Sequence, residues 1–389
     1  MHVFFSVGEP SGDQHAAQLI GALQRRYPGM RTSGFGGPLM QQAGCRLDYR
    51  LTDTAVMGFF GVIPLLLHFV RLLKTAGRLF AETRPDAVVL VDFPGFNWWI
   101  ARKAKAAGIP VIYYMPPQLW AWASWRIRRV RKYVDLVLCA LPFEYDWYAS
   151  RGINAIYVGH PFFDEVAGHK LDRALCNAYA SNSFCNVGLL PGSRDQEVAW
   201  NWPVMLEVVD RLSKKHPQAR FVAACYKAEH HDTCRRILAE KQFDLPIDFV
   251  IGKTPEVIEL ADCCLMVSGS VSLEMLARGT PATVLYRVSR VTRFVGRLIL
   301  RCPFITLPNL IADWPIMPEF VSAGNPAPAI DELTSVLDGW LSDPQRLEAA
   351  KTEMRSLRAR VIETGANANA AEAILMHLGL GQPPLQKAA

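Results

Sequence analysis

Short apolar runs alternate with patterns of helical periodicity along the chain, and this alternation predicts its architecture. Runs of strand length occur in the first half at His2–Val7, Ala87–Val91, Val111–Met115, Leu136–Ala140 and Ala155–Val158. They recur in the second half at Val187–Leu190, Phe221–Cys225, Phe249–Ile251, Cys263–Ser268 and Ala282–Tyr286. Helical patterns between them cover Asp13–Tyr27, Trp98–Ala107, Glu144–Ser150 and Ser272–Arg278, the last ended by Gly279. Strands that alternate with helices are typical of parallel, doubly wound sheets.

The alternation stops and restarts near the middle of the chain, which predicts two domains. We interpret Gly159-His160-Pro161 as the linker, and 389 residues are enough for two hydrophobic cores. The prediction is an α/β fold of two Rossmann-like domains facing a cleft, residues 1–160 and 161–350. Residues 351–389 are expected to add C-terminal helices that pack back on the first domain, and a tail. Ligands of such sheets bind at the carboxyl ends of the strands.

Composition and charge narrow the possible partners. A net charge of +6 suits an anionic ligand or a membrane surface and does not require nucleic acid. The nine cysteines are scattered, without a CxxC motif or a cluster with zinc spacing, so we expect a reducing cytoplasm and neither a metal nor another cofactor. The N-terminus lacks the basic region of a signal peptide. Among the histidines, His160 lies near the expected cleft, and the pair His230-His231 is expected at the surface.

The sequence VGLLPGSRDQEV (Val187–Val198) predicts a strand, a tight turn and a helix. Gly192 lets a ligand approach the backbone closely, and the helix N-terminus just beyond it offers free N–H groups. Arg194 adds a guanidinium that can hold a phosphate through two hydrogen bonds. We therefore interpret Gly192-Ser193-Arg194 as a diphosphate site. The alternative is a plain turn with a surface arginine, which this tripeptide alone would favour.

A second element of the same kind, MVSGSVSLEML (Met266–Leu276), favours the phosphate interpretation. A strand runs into Ser268-Gly269-Ser270 and a helix begins at once, with Ser270 as the expected N-cap. Glu274 falls one turn into that helix, where its carboxylate could accept hydrogen bonds from ribose hydroxyls. The alternative is a glutamate that merely favours the helix dipole. Two such turns in one domain indicate a site for a nucleoside diphosphate.

The first loop of the chain, Gly8–Asp13, joins the first strand to the first helix and is expected to line the cleft. It lacks the GxGxxG pattern of NAD and FAD sites. We place Ser11, Gly12 and Asp13 in the cleft, with simple helix capping by Ser11 or Asp13 as the alternative.

A carboxylate follows the wholly apolar strand Ala87–Val91 at its carboxyl end, at Asp92. Burying a carboxylate in such a position costs free energy unless the group is paired or takes part in the chemistry of a site. Burial would raise its pKa and make it a better general base. Asp92 is thus the candidate base, and capping of the turn toward Trp98 is the alternative.

Two segments pair apolar residues with basic ones. The run Ala55–Leu67 is too short to span a bilayer and contains a proline, but it could lie at a membrane surface, and Arg71, Lys74 and Arg78 follow it. The basic run Trp125–Lys132 predicts an amphipathic helix that faces phosphate or a membrane rather than nucleic acid. A solvated helix face is the alternative for both segments.

Taken together, short motifs in this order resemble the lipid-A-disaccharide synthases, inverting glycosyltransferases of the GT-B fold. The matching pieces are Gly8–Asp13, Gly36-Gly37-Pro38 with Met40, Met57-Gly58, Asp92-Phe93-Pro94 with Phe96-Asn97, Trp120-Ala121-Trp122, Leu141–Glu144, Val158–Pro161, Leu189–Arg194 with Glu197-Val198, Ser268-Gly269 with Leu273-Glu274, Tyr286-Arg287, and Leu307–Leu310. The pieces run through most of the chain.

The resemblance implies a cytoplasmic enzyme, peripheral on the inner membrane of Gram-negative-type bacteria, that makes a lipid A disaccharide. The donor is UDP-2,3-diacylglucosamine and the acceptor is 2,3-diacylglucosamine 1-phosphate. The resemblance adds Asn309 to the donor site, and Met57 and Asn97 to the acceptor side. It implies no nucleic acid partner, and it leaves a homo-oligomer open.

The sequence departs from the family pattern at a few positions. Gly95 stands where a second acid is usual, Pro116-Pro117-Gln118 replaces a Ser-Pro-Ser type stretch, and Asp313 replaces a common glycine. These changes leave open a diverged transferase with another acceptor and a non-catalytic lipid- or nucleotide-binding relative. A UDP-sugar 2-epimerase is a further alternative, but it would not need the apolar segment Ala55–Leu67.

Overall fold

The computed structural model describes residues 1–53, 62–180 and 185–380. The chain divides into two compact units, the first made of Met1–Asp164 and the chain from Glu363 onward, the second of Glu165–Ile362. Met57, most of the apolar segment Ala55–Leu67 and the expected C-terminal tail lie outside the described residues.

The first unit is built on a parallel sheet of seven strands. In chain order these are β1 (His2–Val7), β2 (Arg31–Gly36), β3 (Arg46–Arg50), β4 (Ala87–Val91), β5 (Val111–Tyr114), β6 (Leu136–Cys139) and β7 (Ala155–Tyr157). Their order across the sheet is β3-β2-β1-β4-β5-β6-β7. Val7 is paired with Val91, so the loops that follow β1 and β4 leave the sheet side by side.

Helices cover both faces of this sheet. They are α1 (Pro10–Arg26), α2 (Pro38–Gln42), α3 (Val62–Thr83), α4 (Pro94–Ala106), α5 (Ile127–Tyr133), α6 (Pro142–Ala149), α7 (Pro161–Gly168, which runs into the second unit) and, after the second unit, α17 (Ala366–His377). Several begin with proline. Proline has no backbone N–H group, but an N–H group in the first turn of a helix would have no partner within the helix, so nothing is lost. Alternation along β1 places Val3, Phe5 and Val7 against α1 and α17, and Phe4 in the opposite layer against α3.

The second unit is built on a parallel sheet of six strands. These are β8 (Cys185–Leu190), β9 (Ala219–Cys225), β10 (Ile247–Ile251), β11 (Cys263–Val267), β12 (Ala282–Val288) and β13 (Glu319–Ala323). Their order is β10-β9-β8-β11-β12-β13, which makes β8 and β11 neighbours. The helices are α8 (Arg173–Ala178), α9 (Asp195–Lys215), α10 (Ala228–Glu240), α11 (Thr254–Leu260), α12 (Val271–Arg278), α13 (Arg290–Ile299), α14 (Leu307–Ala312), α15 (Ala327–Ser342) and α16 (Pro344–Val361).

The predicted α/β class is confirmed, with two Rossmann-like units of parallel strands. Two expected boundaries are displaced. Residue 351 falls inside α16, which belongs wholly to the second unit, so α17 alone among the described helices returns to the first unit. The expected linker also contributes Pro161 to α7.

The sequence pattern missed β2, β3 and β13. β2 reads RTSGFG and β3 reads RLDYR, so neither shows an apolar run, and β3 and β13 are half-exposed edge strands. Edge strands need fewer apolar residues than strands buried on both faces.

Candidate functional site

The turn after β4 holds Asp92 in an unusual backbone conformation. Asp92 and Phe93 both have a φ of +45°, in the left-handed region that side chains disfavour. The Asp92 carbonyl accepts hydrogen bonds from the Asn97 amide, at 2.8 Å, and from the Tyr113 hydroxyl, at 2.7 Å. A Cβ atom at Gly8 would lie 2.2 Å from the Phe93 ring, so this ring packs where only a glycine leaves room. The surrounding fold therefore fixes the turn that carries Asp92.

The Asp92 side chain has the electrostatics of a general base. It is half-buried, and burial, followed by the charge of Glu9, raises its pKa to about 6. The nearby His15 acts in the opposite direction. A Cβ atom at Gly12 would lie 4.0 Å from Asp92 Oδ2, so the first turn of α1 passes directly beside this carboxylate. A carboxylate with this pKa is mostly ionised at neutral pH and basic enough to accept a proton.

Asp13, which was expected on the acceptor side, is a buried part of the scaffold. Asp13 accepts hydrogen bonds from the backbone N–H groups of Gly37, Leu39 and Met40, at 3.1, 2.9 and 3.0 Å. It therefore caps α2, a contact that favours the capping alternative, and its placement in the cleft stays a prediction. Ser11 is exposed in the first turn of α1.

Asn97, also expected on the acceptor side, supports the Asp92 turn. It is fully buried, and its Nδ2 atom lies within hydrogen-bonding distance of the carbonyls of Asp92, Val91 and Ser6. Its Oδ1 atom accepts from the Ser6 hydroxyl at 2.7 Å. Asn97 therefore fixes the turn that carries Asp92.

Glu144 is a buried acid in the first turn of α6, and no role was predicted for it. The Glu144 carboxylate accepts from Trp120 Nε1 and from the Ala140 backbone N–H, both at 3.3 Å. Burial is the main reason that its pKa rises to about 8, and the charge of Asp92 acts in the same direction. The available signal was its position in the first turn of a helix after an apolar strand, the same signal that indicated Asp92.

His160 is buried, and burial lowers its pKa to about 3. Its ring therefore stays neutral, and its Nδ1 atom accepts from the Phe162 backbone N–H at 3.2 Å.

In the second unit, the PGSR loop (Pro191–Arg194) holds one of the protein's own carboxylates. Gly192 has a φ of +128°, and a Cβ atom there would lie 2.7 Å from Cβ of Glu197. Glu197 Oε2 accepts from the backbone N–H groups of Ser193 and Arg194, at 3.2 and 3.3 Å. Arg194 Nη1 donates to Glu197 Oε1 at 2.8 Å. The loop thus has the donors of an anion site, and Glu197 fills it.

The SGS loop (Ser268–Ser270) lies beside the PGSR loop, because β11 and β8 are neighbours. The position of a Cβ atom at Gly192 is 3.4 Å from Val267, the last residue of β11. Gly269 and Ser270 are exposed. Ser270 is the N-cap of α12, as predicted, although its side chain makes no capping bond among the described residues. Ser272 instead donates its hydroxyl to the Gly269 carbonyl at 2.8 Å.

Glu274, the expected ribose ligand, is paired within its own helix. Its Oε1 atom accepts from Arg278 Nε at 3.1 Å and Nη2 at 3.0 Å, and Arg278 also reaches Glu259 at 3.2 Å. Burial is the largest cause of the raised pKa of Glu274, and Arg278 opposes it.

Asn309 is fully buried. Its Nδ2 atom donates to the Met317 carbonyl at 2.7 Å and to Glu319 at 2.8 Å, and its Oδ1 atom accepts from the Met317 N–H at 2.8 Å. Asn309 therefore connects α14 to β13, and its placement in the donor site stays a prediction.

His230 is buried, contrary to the expected surface position, while His231 is half-buried. His230 Nε2 lies 2.9 Å from Asp195, which Lys227 also contacts at 2.7 Å. These contacts fasten the start of α9, next to Arg194, onto α10.

Within the described ranges, no group of three or more histidine, cysteine, aspartate or glutamate side chains is arranged to hold a metal ion. Within the same ranges, no helix is long and apolar enough to cross a membrane.

Comparisons with known proteins identify the family of the chain. A family model described as lipid-A-disaccharide synthetase matches residues 3–374. The chain is 36% identical to the lipid-A-disaccharide synthase of Myxococcus xanthus, over 96% of this chain and 97% of that protein. It is 30% identical to the enzyme of the same name from Geobacter sulfurreducens, over 97% of each.

Solved structures with low sequence identity share the fold. A UDP-GlcNAc 2-epimerase from Neisseria meningitidis, bound to UDP-GlcNAc, has a TM-score of 0.62 at 13% identity and covers 97% of this chain and 99% of its own. A calicheamicin glycosyltransferase has a TM-score of 0.58 at 16% identity and covers 97% and 98%. At these identities the likeness shows the GT-B type of fold. Because the family model and the relatives match nearly the whole length, the chain belongs to the lipid-A-disaccharide synthase family, glycosyltransferases of lipid A biosynthesis.

Proposed function

We propose that this chain joins UDP-2,3-diacylglucosamine to 2,3-diacylglucosamine 1-phosphate, giving a β-1,6-linked disaccharide 1-phosphate and UDP. The observation that carries the proposal is Asp92, a half-buried carboxylate with a pKa of about 6 at the carboxyl end of β4. Its turn is fixed by Asn97 and Tyr113, as a positioned base requires.

Asp92 accepts the proton of the acceptor 6-hydroxyl as that oxygen attacks the anomeric carbon of the donor. The new C–O bond forms on the face opposite the bond to the diphosphate, which breaks, so the configuration inverts. The bonding electrons leave with UDP. The acceptor proton remains on Asp92 until it is released to water.

UDP binds to the PGSR and SGS loops of the second unit. The backbone N–H groups of Ser193 and Arg194 and the Arg194 guanidinium then hold the diphosphate and stabilise its charge as it leaves. Since Glu197 occupies these donors, the donor displaces its carboxylate when it binds. Glu274 receives the ribose hydroxyls on the oxygen that does not pair with Arg278. Asn309 supports the donor site indirectly, through the loop between α14 and β13.

The membrane surface is the second part of the proposal. Three residues on α3, Arg71, Lys74 and Arg78, are exposed and line an open groove to which Lys103 of α4 adds a fourth cation. Four cations in one groove favour anionic lipid headgroups. In the basic run Trp125–Lys132, the Arg126 guanidinium lies 4.7 Å from the ring centre of Trp122 and 5.3 Å from that of Trp125, both exposed. These features support a peripheral enzyme of the cytoplasmic face of the inner membrane.

A transferase with a different acceptor is the second candidate, and Gly95 favours it. A Cβ atom at Gly95 meets no described atom within 4 Å, so the acid that is usual in the family would fit there. Its replacement therefore has no packing reason, and it removes a charge three residues from Asp92.

The test is UDP release by purified protein in detergent, with UDP-2,3-diacylglucosamine, in the presence and absence of the diacylated monosaccharide phosphate. UDP-N-acetylglucosamine is the control donor. Acceptor-dependent release from the diacylated donor alone supports the proposal. UDP binding without release from either donor contradicts it, and release that needs another lipid acceptor supports the second candidate.

Two variants divide the roles. Asp92→Asn should abolish turnover while UDP binding stays normal, and Arg194→Ala should weaken UDP binding. Near-normal turnover of the first variant would exclude Asp92 as the base. Unchanged UDP affinity of the second would place the diphosphate elsewhere. For the membrane part, replacing Arg71, Lys74 and Arg78 with glutamine should weaken binding to anionic vesicles.

A further inference from the structure

Helix α13 presents an apolar face that the described protein does not cover. None of its ten residues, all of which the structure describes, is buried. Val291 and Leu298 are each 72% exposed and Phe294 is 67% exposed. Val295 and Ile299, on the same side, are also exposed. Contiguous exposed apolar side chains of this size mark an interaction surface rather than ordinary surface.

The helix is locally stable although it lacks a core partner. Ser289 caps its start, with its side chain accepting from the Thr292 N–H at 3.0 Å. By contrast, α9 in the same unit buries the apolar face formed by Val198, Trp202 and Met205. The exposed face of α13 therefore belongs to a formed helix and is available to a partner.

Positive charge surrounds this apolar face. The segment carries Arg287, Arg290, Arg293, Arg297 and Arg301, and the sequence from Glu274 to Asp313 has no acidic residue between those two. Arg290, Arg293 and Arg297 follow the helical spacing of three and four residues, so they form one stripe along the helix. Phe294 and Leu298, four residues apart, form the neighbouring apolar stripe. An arginine stripe beside an apolar stripe is the pattern of helices that lie in a membrane interface.

We propose that α13 lies flat in the interfacial layer of an anionic lipid bilayer, with Phe294 and Leu298 among the acyl chains and the arginines on lipid phosphates. Ten residues rise about 15 Å, too short to cross a bilayer and long enough to lie along its surface. The proposal rests on the membrane-surface part of the proposed function, and it adds a contact in the second unit to the groove on α3. A second copy of this chain is disfavoured as the occupant, because pairing would bring together two arginine-rich segments without an acid.

The test is co-sedimentation of the full chain with vesicles of phosphatidylcholine alone or mixed with phosphatidylglycerol. The double variant Phe294→Ser, Leu298→Ser should bind the mixed vesicles at least about tenfold more weakly, since apolar burial supplies most of the affinity of such helices. The matched control is Ile156→Ser, Met376→Ser, which removes two exposed apolar side chains from the first unit and should bind normally.

A second pair of variants tests the charge. Arg293→Gln, Arg297→Gln should lose the preference for the phosphatidylglycerol vesicles and the sensitivity of binding to salt. Arg358→Gln, Arg360→Gln, which removes two exposed arginines from α16, should change neither. Equal binding of the Phe294/Leu298 variant and its control overturns the proposal. A change in oligomeric mass without a change in vesicle binding also overturns it, in favour of a second copy.

Each part of the proposal can fail separately. UDP release in detergent micelles tests catalysis without a bilayer, and the α13 variants should retain it. The triple glutamine variant at Arg71, Lys74 and Arg78, measured with the same vesicles, reports on the groove on α3. Loss of binding by the α13 variant alone would support α13 and contradict the groove.

Discussion

Glu197 holds Arg194 at both ends of the residue, accepting from its backbone N–H at 3.3 Å and from its guanidinium at 2.8 Å. The same carboxylate accepts from the Ser193 N–H at 3.2 Å. A diphosphate needs these donors, so the chain without ligand carries a substitute anion where the donor is proposed to bind. Donor binding must therefore separate Glu197 from Arg194.

Glu197→Gln should bind UDP more tightly, by roughly threefold to tenfold, because the variant removes the negative charge that competes with the diphosphate. The amide oxygen can still accept from the loop, so the loop should keep its shape. Isothermal titration with UDP measures the effect. Glu207→Gln, further along α9, is the control and should leave the affinity unchanged. Weaker binding of Glu197→Gln would mean that the carboxylate prepares the loop for UDP rather than competing with it.

Glu9→Gln should move the pH dependence of transfer to lower pH. The base must be ionised to act, so kcat/KM should fall about tenfold per pH unit below the Asp92 pKa of about 6 and level off above it. Burial is the main cause of that raised pKa and Glu9 is the next, so removing the Glu9 charge lowers the pKa and the midpoint by a fraction of a unit.

The measurement for Glu9→Gln is the pH profile of UDP release between pH 4 and 9, at substrate concentrations well below KM. The rate on the upper plateau should not change, since Glu9 is exposed. Glu82→Gln, an exposed acid on α3, should reproduce the wild-type profile. An unmoved midpoint would show that the titrating base is not Asp92, or that Glu9 does not act on it.

The sequence is enough to locate the loops at the carboxyl ends of the strands. It is not enough to predict the hydrogen bonds of those loops. An acid after an apolar strand indicated Asp92, and a turn between strand and helix indicated the PGSR and SGS loops. The capping of α2 by Asp13 was not predicted, because the three N–H groups that it caps lie more than twenty residues away in the sequence.

The contact of Glu197 and the edge strands were also not predicted, for two different reasons. Glu197 follows the PGSR loop by one helical turn, so its contact depends on how α9 leaves the sheet, which periodicity does not specify. Half-exposed edge strands such as β3 lack the apolar run that reveals a central strand. The local sequence pattern therefore predicted helices and strands. The pairing of polar groups that are distant in the sequence could be seen only in the structure.

Asn97→Ala should lower kcat at least roughly tenfold while leaving UDP affinity unchanged, because it releases the turn that positions Asp92. Three carbonyls lose their contact with Nδ2, so the variant should also be destabilised, by about 2–3 kcal/mol. Single-turnover rates and UDP titration separate the two effects.

Ser6→Ala is the matched control for Asn97→Ala. It removes the hydroxyl that donates to Asn97 Oδ1 and keeps the contact of Asn97 with Asp92. Its stability should fall while kcat changes little. Equal losses of kcat in the two variants would mean that the effect is general destabilisation and that Asn97 does not position Asp92.

Glu144→Gln should remove the contribution of one titrating carboxyl group to the pH dependence of the free energy of unfolding. Burial raises the folded-state pKa of Glu144 from 4.5 to about 8, so the fold retains a proton that the unfolded chain loses above pH 4.5. Since the folded state then binds more protons than the unfolded state, stability falls as pH rises through this window, by at most about 1.4 kcal/mol per pH unit. Glutamine stays neutral in both states, so the variant lacks this decline.

The observable for Glu144→Gln is therefore the slope of the unfolding midpoint against pH rather than its value at one pH. Glutamine offers one acceptor oxygen to the two donors, Trp120 Nε1 and the Ala140 N–H, and the resulting cost does not depend on pH. Relative to wild type, the variant should gain stability steadily from pH 5 to pH 8. The control variant is Glu82→Gln, which replaces an exposed acid in the same unit and should leave the slope unchanged. Parallel pH profiles for wild type and Glu144→Gln would show that the Glu144 carboxyl ionises at its ordinary pKa despite its burial.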